Sequence, residues 1–232
     1  MVDNKKENPL SNLLFNIALP AIVLMKLSKE EYLGPTWGLI LALAIPAVYF
    51  LYDLFKNGNR NFISILGFVS ILLTGGIGLL ELSPGIYAIK EALIPLIIGV
   101  AVIALVRTKY SVFNKMLYRP EVFEVEKINA ILLDNNNTET FRKKMYFANF
   151  FLATSFFVSA ILNYVLATTI VNSPAGSVEF NNEVARMTVL SYPVIVVPSM
   201  IILIGVFYFF IRDIKNLTGL KFEEMIAIKD KK

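Results

Sequence analysis

The sequence predicts an all-α membrane bundle of six transmembrane helices with one amphipathic helix on the cytoplasmic surface. Three observations carry that expectation. First, 56% of the 232 residues are hydrophobic and only 17% are charged, where soluble domains carry about 25% charged residues. Mean hydropathy is +0.63, and a core of this size cannot hide so much apolar surface, so lipid is the expected solvent. Second, six stretches reach or approach the ~20 apolar residues needed to cross ~30 Å of hydrocarbon. Third, Lys and Arg concentrate on alternate connections between those stretches.

The expected spans are residues 10–25, 36–55, 61–80, 87–106, 146–171 and 189–211. The first is short and places Asn12, Asn16 and Pro20 on one helical face, so it tilts or thins the bilayer locally. Lys5 and Lys6 precede it as in a signal peptide, but no small-x-small cleavage pattern follows Met25, and a retained helix is expected. Gly75, Gly76 and Gly78 in the third span, and Pro46, Pro95, Pro193 and Pro198 elsewhere, mark close packing or kinks.

The connection 107–145 is the one sizeable segment outside the spans. Pro120 opens a helix, and Val122, Val125, Ile128 and Ile131 or Leu132 follow at three-to-four spacing. Asp134-Asn135-Asn136-Asn137 ends it in a turn, and Arg142-Lys143-Lys144 anchors the next span. Such a helix lies on the inner membrane surface or packs on the bundle. The third and fifth spans echo each other, with Phe68-Val69-Ser70 recurring as Phe157-Val158-Ser159. A duplicated helical hairpin and coincidence among apolar helices both account for it.

Six spans set 18 of the 22 Lys and Arg on one side, counting the N-terminus, the 56–60 loop, the 107–145 connection and the tail 212–232. Lys26, Lys29 and Arg186 fall opposite, and Lys90 lies within a span. The positive-inside rule then places both termini in the cytoplasm. The pI of about 9.1 follows from these inner charges, and anionic lipid is the simplest partner for them. No basic stripe with stacking aromatics points to nucleic acid.

Cys and His are absent, which excludes disulfides, thiolate and imidazole metal sites, Ser-His-Asp triads and Cys nucleophiles. Walker loops, dinucleotide-binding glycine motifs and Asp/Glu metal clusters are also missing from the sequence. Asp53 and Asp213 sit at matching helix ends beside basic residues, without the Gly-x-Gly-Asp of an intramembrane protease, and read as interfacial ion pairs. No enzyme, cofactor or metal is expected.

Polar groups inside a bilayer each need an account. Ser155, Ser159 and Asn163 share a face of the fifth span, as Asn16 does with its neighbours in the first. They serve as helix–helix glue, which the sequence favours, or as the lining of a path. Lys90 and Glu91 are the sharpest feature, about 4.5–6 Å inside the outer edge of the fourth span. Adjacent positions point about 100° apart, so the two are expected not to neutralise each other, and Lys90 is expected to snorkel outward. Glu183 and Arg186 in the outer loop 172–188 are their expected partners, in Lys90–Glu183 and Glu91–Arg186 pairs. That cluster acts as a structural clamp or as a proton-responsive gate, and its place near the interface favours the clamp.

The chain resembles the bacterial intracellular septation protein A family of small polytopic inner-membrane proteins, and more closely a branch related to it. The resemblance rests on Leu13-Leu14-Phe15 with Leu19-Pro20 and Lys26-Leu27, Thr74-Gly75-Gly76, Ala88-Ile89-Lys90-Glu91-Ala92 with Pro95, and Asn114-Lys115-Met116. It continues through Ala160-Ile161-Leu162-Asn163-Tyr164-Val165, Ser173-Pro174, Glu179-Phe180-Asn181 and Ser191-Tyr192-Pro193. It implies a cytoplasmic-membrane protein linked to envelope maintenance or cell division, without catalytic residues.

The expected function is therefore that of a non-catalytic membrane protein acting through protein or lipid partners, or as a homo-oligomer. The alternative is a small transporter or channel with a polar path lined by Asn16, Lys90, Glu91 and Asn163.

Overall fold

The computed structural model describes residues 14–57, 62–108, 111–113 and 117–227. Asn12 and the charges at Lys5, Lys6, Arg60, Lys109, Lys115, Lys229, Lys231 and Lys232 lie outside them, as do Asn114-Lys115-Met116. Every regular element among the described residues is a helix. In order these are α1 (Leu14–Leu27), α2 (Gly34–Asn57), α3 (Phe62–Leu79), α4 (Pro84–Leu105), α5 (Val125–Asp134), α6 (Thr138–Ile170), α7 (Val178–Thr218) and the single turn α8 (Phe222–Met225).

Four of them are long and apolar enough to cross a membrane, within Gly34–Tyr52, Pro84–Leu105, Thr138–Ile170 and Val178–Thr218. Leu14–Leu27 and Phe68–Leu79 are shorter apolar helices. The helices turn much apolar surface outward, with Trp37, Val48, Ile89, Phe147, Ile161, Ile201 and Ile204 all more than half exposed. Apolar exposure on this scale suits contact with lipid or protein rather than water.

Two helices outrun their expected bounds. α6 begins at Thr138 rather than 146, so Arg142-Lys143-Lys144 belong to its first turns. α7 spans 41 residues and absorbs most of the expected outer loop 172–188 and the start of the tail 212–232. Hydropathy locates the apolar stretch of a helix, whereas hydrogen bonding continues into polar sequence until something stops it. At Thr218 the stop is Gly219, left-handed at φ 73°, a conformation that favours glycine.

Proline shapes two helices locally. π-turns occupy Leu14–Ala18 and Tyr192–Val196. Pro20 and Pro198 offer no N–H to the carbonyls four residues back, Asn16 and Val194, and their rings crowd those carbonyls, so the helix widens there.

The chain divides into two compact units, Met1–Ile94 with Ala160–Ile195, and Pro95–Ser159 with Val196–Lys232. The core of the first gathers Val23, Leu24, Leu39, Ala42, Ile77, Tyr87, Phe180 and Val184. Small residues let α2 and α3 approach: a Cβ at Gly78 would strike the Leu39 side chain, and one at Gly75 would press Leu43. The loop 28–33 is fastened to α7 by Asn181, fully buried, which donates to Ser28 Oγ (3.1 Å) and the Pro35 carbonyl (2.8 Å).

The second unit is built on aromatics. Phe113, Phe123, Phe141 and Phe210 are buried with Ile128 and Leu132 of α5, Ile214 of α7 and Met225 of α8. α5 starts at Val125 rather than at Pro120, because the backbone of the preceding residues is engaged elsewhere. Glu124 N donates to Met225 O (2.8 Å) and Ala227 N to Val122 O (3.0 Å), around an isolated bridge between Phe123 and Ile226. The expected turn after Asp134 is present. Asn137 and Asn135 donate from it to the Leu217 carbonyl at the end of α7 (2.9 and 3.3 Å), supplying a partner to a group the helix terminus leaves unpaired.

Candidate functional site

Lys90 carries the most demanding chemistry in the first unit. It lies on the second turn of α4, and its side chain is only 6% exposed. The expected outward snorkelling does not occur. Ser70 and Thr74 sit one turn apart on α3, so both side chains fall on one face. The Lys90 ammonium donates to Thr74 Oγ1 (2.8 Å), to Ser70 Oγ (3.3 Å) and to Glu91 Oε1. Thr74 Oγ1 spends its own proton on the Ser70 carbonyl (3.0 Å), which leaves its lone pairs to accept from Lys90. Tyr87, one turn before Lys90, lays its ring 4.9 Å from the ammonium, a cation–π distance.

This pairing corrects the expectation that Lys90 and Glu91 do not neutralise each other. The 100° offset separates their Cβ directions, but both side chains are long enough to meet around the helix. Both side chains are largely withdrawn from solvent, 6% and 22% exposed, where opposite charges attract more strongly than in bulk water.

The outer pairs expected with Glu183 and Arg186 do not form. Glu183 instead accepts from the Asn172 and Ser173 backbone N–H groups (3.0 and 2.9 Å) and from Ser173 Oγ (2.8 Å), closing the loop ahead of α7. Arg186 is exposed on the following turn. The helical extension of α7 is the cause, since it fixes Glu183 over its own preceding loop. Asn16 is exposed on α1 and Asn163 is half-buried on α6; neither is among the acceptors of Lys90.

Two buried amides escaped the sequence reading. Asn181 is one. The other is Asn149 on α6, 2% exposed, whose Oδ1 accepts from Ser111 Oγ (3.0 Å) and the Phe113 N–H (3.4 Å) while its Nδ2 donates to Met145 O (2.9 Å). A lone Asn amid Phe147, Ala148, Phe150 and Phe151 was the available signal. Asp213 pairs with Lys144 (3.3 Å) rather than with its neighbour Arg212.

Cavities of about 330 and 370 Å³ lie in the second unit. Neither is lined by Asn16, Lys90, Glu91 or Asn163. No protein-family model, curated protein or solved structure matches the chain.

Proposed function

We propose that the chain is a non-catalytic multi-pass protein of the bacterial inner membrane, with six spans and both termini in the cytoplasm, and that Lys90 clamps α3 to α4. One observation carries the clamp. An ammonium has three N–H donors and no acceptor, and Ser70, Thr74 and Glu91 take all three. A saturated cation has no donor left for a passing solute or anion. The closed shell supports a structural role over a gate, and the resemblance noted above supports a place in envelope maintenance or cell division through membrane partners. α5 belongs to the cytoplasmic face in this reading.

Two measurements test it. Reconstituted into phosphatidylethanolamine–phosphatidylglycerol liposomes, the protein passes no more protons, K⁺ or Cl⁻ than empty vesicles. Flux abolished by Glu91→Gln overturns the clamp. For the topology, the Cys-free sequence is a clean background for single cysteines at Ser83 and Asn216. Impermeant maleimide labels them from opposite sides, and labelling from one side overturns the orientation.

A further inference from the structure

The cavity of about 370 Å³ in the second unit is a groove between α6 and α7 whose two ends differ in chemistry. The helices run antiparallel here, because Lys144 near the start of α6 meets Asp213 near the end of α7 at 3.3 Å. Charge therefore collects at one end, with Lys144, Arg212 and Asp213 among the lining residues. At 1.5 Å per residue, Phe151 lies about 10 Å further along α6 and Ile202 about 15 Å further along α7, reached past Phe147 and Gly205.

The charged end carries an unspent cation. Asp213 is occupied by Lys144, and Arg212 lies over the Phe209 ring at 5.1 Å with no carboxylate in ion-pair range among the described residues. Its guanidinium keeps a planar fork of donors suited to a phosphate. The groove is open beside Gly205, where an added Cβ would meet no atom within 4 Å. Phe147 and Phe151 are each more than half exposed along its wall.

We propose that this groove binds an anionic glycerophospholipid, with its phosphate on Arg212 and Lys144 and an acyl chain along Phe147, Phe151 and Ile202. The proposal rests on reading the chain as a membrane protein. An excess cation at one end and an apolar wall at the other match a lipid along its length, and basic pockets between membrane helices favour anionic headgroups.

The test uses the whole chain in dodecyl maltoside, with dioleoyl phosphatidylglycerol and dioleoyl phosphatidylcholine as probes and native mass spectrometry as the readout. The wild type retains phosphatidylglycerol over phosphatidylcholine, and Arg212→Gln lowers that preference about five-fold, the effect of one surface cation. Gly205→Leu fills the groove, replaces a poor helix former, and lowers retention of both lipids while helical content and melting temperature hold. Equal retention of the two lipids by the wild type, or an undiminished preference in Arg212→Gln, overturns the proposal. So does displacement by glycerol 3-phosphate, which marks a site for the headgroup alone. A change of oligomeric state in Gly205→Leu overturns it in favour of a second copy in the groove. Protein that stays monodisperse without detergent defeats the membrane reading instead, and is seen separately.

Discussion

The Lys90 cluster of the first unit and the Phe210 cluster of the second both bury what a single residue brings, but by opposite means. Phe210 packs edge-on against Phe113, Tyr118 and Phe123 with centroids 4.8, 5.7 and 5.8 Å away, and tilted on Phe141 at 6.1 Å. Aromatic pairs of this kind contribute about 0.5–1.5 kcal/mol beyond their buried area. No one neighbour is indispensable, because dispersion and area are shared among all of them. Lys90 has one charge and three directed bonds, so each acceptor is a separate requirement. The aromatic cluster should weaken in proportion to the volume removed, and the polar one according to which donor is left unpaired.

The largest effect expected is at Phe210. Phe210→Ala removes the centre of the aromatic cluster and destabilises the protein by about 3–5 kcal/mol, read from reversible unfolding in micelles; Phe210→Leu costs a fraction of that. If both cost the same, packing is not what holds this unit.

Glu91→Leu leaves Lys90 charged and buried without its counter-ion, at about 1.5–3 kcal/mol for a hydrogen bond to a charged group. The double variant Lys90→Met, Glu91→Leu recovers most of the loss, because removing both partners leaves no orphaned charge. A double variant less stable than either single one contradicts the clamp. Thr74→Val is milder, about 0.6–1.7 kcal/mol, as interhelical hydrogen bonds in membranes measure.

The smallest effect concerns pH. Tyr118 donates to Asn129 Oδ1 (3.0 Å), and burial raises its pKa above the ordinary value. The folded state thus keeps the phenol neutral where the unfolded chain ionises it, near pH ~10. Its contribution is full below that pH and is lost as the pH rises through the interval up to the folded value. Tyr118→Phe flattens the alkaline fall in melting temperature; an unchanged fall assigns it to other groups.

Much of the architecture was legible in order of residues alone. The apolar stretches 36–55, 61–80 and 87–106 lie within two or three residues of α2, α3 and α4, and Asp134 ends α5 as its turn chemistry predicts. Gly78 and Gly75 were readable as close-approach positions and stand against Leu39 and Leu43. Ser70 and Thr74 stand four residues apart in the third span, and Lys90 was visible as a charge within the fourth, but nothing in the sequence joined them. The aromatic core of the second unit was also hidden, since Phe113, Phe123, Phe141 and Phe210 come from separate segments with no shared period.

The sequence by itself determined that this chain is helical, that four or more of its helices suit hydrocarbon, and that its cations are unevenly distributed. Those properties sum residue by residue, and transfer to lipid depends on composition within one stretch. Tertiary structure alone decided that Lys90 turns to Ser70 and Thr74, 20 and 16 residues away, that Glu183 serves its own loop, and that Lys144 and Arg212 meet at one groove. A charge chooses its partner by distance in space, and the packing of one helix against another sets that distance.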